Sequence, residues 1–159
     1  MPSKEELINR YEQGVAALEL ALRDVPAAAL DYVPAPGKWS IRQVAAHLAD
    51  AEIVVAGRLR WVAAEPGAPL KAFDQEKWAD KLGYRQQSPQ QSLQVFRALR
   101  IGTAAMLRGL PEPVWSYTGI HEERGEVSLQ RLVEDYTAHA ERHIHRILEL
   151  REAKNRVIA

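Results

Sequence analysis

The sequence predicts an all-α protein, a four-helix bundle with long crossover connections. Two observations carry this. Four long stretches place apolar residues at three- and four-residue steps, the period of a helix with one buried face, and no stretch shows the repeating alternation of a sheet. The breaks between them are rich in proline and glycine, long enough to cross from one end of a bundle to the other.

The first helix is expected from about Lys4 to Arg23. Ser3 and Glu6 form a capping box, and Leu7, Ile8, Tyr11, Val15, Leu18 and Leu22 make one apolar stripe. Pro26, Pro34, Pro36 and Gly37 then interrupt the chain, with room for a turn of helix at Ala27 to Leu30. Ser40 and Gln43 form a second capping box, opening a helix that continues to Pro66. Its stripe is Ile41, Val44, Leu48, Ala51, Val55, Leu59 and Val62. His47 borders that stripe, three residues from Val44 and four from Ala51, with Asp50 near enough to accept a hydrogen bond from it.

The segment 65–87 is a crossover holding one short helix, capped by Asp74 and ended at Gly83, with Phe73, Trp78 and Tyr84 to pack it. Its length suggests a lid over a site. The third long helix starts at Ser88-Pro89, an N-cap followed by proline in the first turn, and runs to Gly109. Leu93, Phe96, Leu99, Thr103, Met106, Leu107 and Leu110 form its expected inner face. After a connection carrying Trp115, Tyr117, His121 and Arg124, Ser128 caps a last helix reaching about Lys154. With no internal repeat, low-complexity tract or linker, residues 1–159 are expected to form a single domain.

Within the last helix, the run Tyr136 to Arg146 places His139 and His143 four residues apart, so both imidazoles lie on one face. That face is apolar, marked by Leu132, Val133, Tyr136, Ala140, Ile144, Ile147 and Leu148. This is the spacing of a helix-borne metal site, and also one that two core histidines can adopt by chance. His145 falls on the polar face and is left out. His47, His139 and His143 could meet inside the bundle as three ligands, leaving coordination positions open for water or a substrate. His121, in a loop that can fold over one end, is either a surface residue or a substrate contact. Trp78 and Trp115 could line a pocket or simply pack, and solvent exposure is the expectation for Glu76 and Arg124.

Composition narrows the partners. The chain has 21 basic and 21 acidic residues, so it lacks the excess positive charge of a phosphate-neutralising nucleic-acid binder. There are no cysteines, so neither disulfides nor thiolate ligands are available, and a metal must be held by His, Asp or Glu. No apolar run is long enough for a signal peptide core or a membrane span. A cytoplasmic protein acting on a small molecule, with no nucleic-acid or membrane partner, is expected.

The segment GKWSIRQVAAHLADAE, with Trp39-Ser40 opening the helix and His47 before Leu48, resembles the first metal-ligand motif of the DinB superfamily, in its YfiT-like branch. YTAHAERHIHRI resembles the second motif, and FDQEKWA and HEERGEVSL resemble loops of that branch. The resemblance spans roughly 37–148. It implies a four-helix bundle, often a homodimer, holding a divalent cation such as nickel or zinc through His47, His139 and His143. It also implies transfer of a low-molecular-weight thiol to an electrophile, with His121 orienting or protonating substrate. Metal-dependent hydrolysis is the alternative, and a non-catalytic metal- or ligand-binding dimer is the third.

Overall fold

A computed structural model describes residues 1–158, with side chains described through residue 155. Four long helices form the body: α1 (Lys4–Leu22), α3 (Ile41–Ala64), α5 (Pro89–Arg108) and α6 (Leu129–Ile158). Two short helices, α2 (Ala27–Leu30) and α4 (Gln75–Lys81), lie in the connections. The helix starts follow the capping chemistry of the sequence. Ser3 with Glu6 and Ser40 with Gln43 each complete both hydrogen bonds of a capping box. Ser88 caps α5 ahead of Pro89, and the Ser128 hydroxyl accepts from the Arg131 N–H at 3.1 Å. Asp74 caps α4, which ends at Gly83 in the left-handed region at φ 64°.

Helices α1 and α3 each pack against both α5 and α6, which closes a four-cornered bundle. Its core divides into two apolar clusters. One, built on Leu7, Ile8, Val55, Leu59, Leu107, Trp115 and Leu132, fills one end. The other, built on Val15, Leu18, Val44, Leu48, Phe96, Ile144 and Ile147, fills the opposite end. Glu52 and Arg100 are buried in the stretches of α3 and α5 where one cluster gives way to the other. Arg100, not Leu99, is the fully buried residue at that point of α5. Leu148, expected on the inner face of α6, is 43 % exposed, while Leu150 is buried.

The chain is not helical throughout. Three short strands, β1 (Pro69–Leu70), β2 (Thr118–His121) and β3 (Gly125–Ser128), form a sheet in the order β1-β2-β3. Strand β1 runs parallel to β2, with Pro69 opposite Ile120, and β2 and β3 form a hairpin. The two crossovers, expected as loops, are thus tied to each other. Strands of two and four residues are too short to reveal an alternating pattern in sequence. At Gly119 the backbone comes so close to α3 and β1 that an added Cβ would lie 2.8 Å from both Leu70 and Val62 side chains.

Candidate metal centre

The i,i+4 spacing holds His139 and His143 side by side on α6, with ring centroids 4.5 Å apart. From the adjoining helix α3, His47 meets both, its ring 5.2 Å from His139 and 4.6 Å from His143. One nitrogen from each ring falls within 4.8 Å of the other two. The His47 and His139 Nε2 atoms are 3.2 Å apart. Two nitrogens bonded to one ion at about 2.0–2.1 Å sit roughly 3.3 Å apart at a tetrahedral angle, so that spacing suits a shared cation. The donor set suits a divalent first-row metal that favours imidazole nitrogen.

The three rings are poor bases here. Burial, reinforced by His143, pushes the His47 pKa down to about 3. Burial does the same to His139, also about 3, with His143, His47 and the Arg142 and Arg100 charges adding to it. His143 is lowered by burial and by Arg142. Neutral imidazoles with free lone pairs are the form that can bind a cation.

Trp39 covers the cluster. Its ring lies 5.0 Å from that of His47 and is stacked at 6.5 Å on His143. Trp39 also lines a polar cleft of about 390 Å³ that carries Lys38, Glu76, Asp80 and Arg85. Asp50 does not orient His47. Its carboxylate accepts from the Tyr84 hydroxyl at 2.8 Å, and the buried His47 Nδ1 has no partner among the described residues. Tyr84 thereby anchors the 65–87 segment to α3, and burial with the Asp50 contact raises the tyrosine pKa.

His121 stands apart from the three-histidine group. It is buried on β2, and its Nδ1 accepts from the Glu123 N–H at 3.2 Å, which leaves Nε2 to carry the proton. Its pKa is lowered by burial and by the Arg58 and Arg124 charges. Trp115 packs in the core beside Leu7 and Leu132, and Trp78 packs against Phe73 at 4.7 Å. Glu76 is exposed, Arg124 pairs with Asp135 at 2.5 Å, and the exposed His145 pairs with Glu149 at 3.2 Å.

Four residues around the site, Trp39, Arg58, Tyr136 and Arg100, were not expected as site residues from the sequence. Trp39 is the cover just described. Tyr136 is edge-on to His139 at 6.4 Å, and its hydroxyl accepts from Arg58 Nη1. Behind α6, Arg100 is buried and pairs with Glu52 at 3.0 Å. A signal for two of them existed: Arg58 and Arg100 both fall on positions of an apolar stripe, three or four residues from Val55 and Val62 and from Phe96 and Thr103.

A family model for the DinB superfamily matches residues 10–147. The chain belongs to the DinB superfamily. Among DinB relatives, one from Oceanobacillus iheyensis is 29% identical over 150 residues, covering 94% of this chain and 87% of its own. YfiT of Bacillus subtilis is 26% identical over 148 residues, covering 92% and 83%. Both are named "putative metal-dependent hydrolase". The solved structure of YfiT, a four-helix bundle of unusual topology, superposes with a TM-score of 0.89 at 25% identity, over 98% of this chain and 91% of that one. A mycothiol-dependent maleylpyruvate isomerase shares the fold, with a TM-score of 0.72 at 14% identity, over 90% of this chain and 60% of that one.

Proposed function

We propose that His47, His139 and His143 hold a divalent cation, nickel or zinc, and that the chain is an enzyme using this centre to activate a low-molecular-weight thiol for transfer to an electrophile. One observation carries the metal assignment: three neutral imidazoles from two helices converge within 4.8 Å, with the His47 and His139 Nε2 atoms 3.2 Å apart. The cation, when bound, would supply Lewis acidity that lowers the pKa of a thiol or water held there.

The chain's own residues do the rest. Trp39 shields two of the rings from bulk water, which strengthens electrostatic interactions at the site. The absence of cysteine means that the reacting sulfur must come from a bound small molecule. The polar cleft lined by Trp39, with both charge signs among its residues, suits a small zwitterionic thiol. That the fold also carries a mycothiol-dependent isomerase is in keeping with thiol chemistry on this scaffold. His121, with Nε2 protonated, is the candidate to orient substrate or give it a proton.

Metal analysis of protein purified without chelator or His tag tests the centre: about one equivalent is expected, and less than half an equivalent overturns it. The thiol reading is tested by offering bacillithiol, mycothiol and glutathione with a generic electrophile. Turnover no faster than that of His139→Ala defeats it. Hydrolysis is a second reading, favoured by the names of the relatives. Thiol-independent ester or amide cleavage that stops on chelation would establish it instead.

A further inference from the structure

A second cavity, of about 560 Å³, lies between α3, the β1 segment and α4. Its size is that of a small-molecule pocket. Ile53, Trp61, Leu70, Phe73 and Trp78 give it an apolar, largely aromatic wall. Ile53 and Trp61 are 52% and 53% exposed, an unusual placement for side chains of that size on one helix face.

Arg58 forms part of the same wall and is 4% exposed. Its Nη atoms donate to the Tyr136 hydroxyl and the Lys71 carbonyl, both neutral groups, and its buried Nε has no partner. No carboxylate pairs with it among the described residues. Asp74, which also lines the cavity, caps α4 through the Glu76 and Lys77 N–H groups, and Glu122 accepts from the Ala72 N–H at 2.8 Å. Lys71 and Lys77, on the same cavity, are also outside any ion pair among the described residues. A guanidinium withdrawn from water without a counter-charge is unfavourable, and an anion that pairs with it relieves that cost.

We infer that this cavity binds a small organic anion with an apolar body, in its simplest form an arylalkanoate, whose carboxylate pairs with Arg58 and whose ring packs on Trp61 and Trp78. Tyr136, which accepts from Arg58 and lies edge-on to His139, separates the pocket from the histidine centre. The binding does not depend on the metal reading above.

The test titrates 3-phenylpropionate and its uncharged amide into chelator-treated protein, followed by tryptophan fluorescence. Saturable binding of the acid is expected, at least tenfold tighter than that of the amide. Arg58→Gln should lose at least tenfold in affinity for the acid and little for the amide, with circular dichroism confirming the fold. Should Arg58→Gln fail to fold, Trp61→Ala takes its place, at an exposed position, and should weaken binding of the acid severalfold. No saturable binding of the acid, equal affinity for acid and amide, or unchanged affinity in the folded variants overturns the inference. Because the titration is done on chelated protein, its outcome is independent of the metal analysis that tests the histidine centre.

Discussion

His47 and His139 tie the stability of the metal-free protein to pH. Their pKa values of about 3 lie well below the ordinary ~6.5 that they regain on unfolding. Between those values the unfolded chain takes up protons that the folded one refuses. Stability is therefore fully present above pH ~6.5 and is lost progressively as the pH falls towards 3. Thermal unfolding of chelated protein across that range should show the decline, and His47→Gln should make it shallower. A second residue-scale prediction concerns Gly14. A Cβ there would lie 2.8 Å from Arg100 Nη1. The guanidinium cannot retreat, since it is held by Glu52 and by the Tyr11 and Tyr136 carbonyls. Gly14→Ala should cost ~1–3 kcal/mol by denaturant titration.

At the scale of the element, the N-cap of α3 is the simplest to test. Ser40→Ala removes the side-chain half of a capping box on the helix that carries His47, and should lower stability by ~1 kcal/mol. The sheet offers a harsher test. A branched side chain at Gly119 cannot fit between Leu70 and Val62, so Gly119→Val should destabilise by at least ~1–3 kcal/mol in the same assay. These two elements also mark what the sequence makes legible. A cap is written in residues three apart, so Ser3, Ser40, Asp74 and Ser88 could be read directly. The i,i+4 rule likewise put His139 and His143 on one face, and His47 beside a buried stripe, before any helix was docked. The β1–β2 pairing joins residues some fifty apart through backbone groups alone, which leaves no mark on residue type. Trp39 over the histidines and Tyr84 on Asp50 depend on how side chains reach across helices, and periodicity carries no information about that.

For the whole molecule, a ligand that binds only the folded state raises the melting temperature by mass action. Nickel or zinc at a hundredfold excess over its Kd should add ~2.7 kcal/mol. For a chain of this size that is a rise of roughly 5–11 °C. The triple alanine variant at 47, 139 and 143 should show none. The buried ion pair acts at the same scale. Arg100 donates to a carbonyl of α1, to Glu52 on α3 and to a carbonyl of α6, so one side chain from α5 touches all the other long helices. Arg100→Met leaves the Glu52 carboxylate buried without its partner and should cost ~3–5 kcal/mol.

The contacts of Arg100 have a kinetic consequence. They join residues 36, 48 and 89 positions apart, so the full set is complete only once all four long helices have come together. Interactions completed after the rate-limiting step slow the escape from the native state more than they hasten its formation. Loss of the guanidinium should therefore raise the unfolding rate along the whole unfolding limb of a chevron while leaving the refolding rate nearly unchanged, and the residue that joins the helices would set how long the bundle lasts.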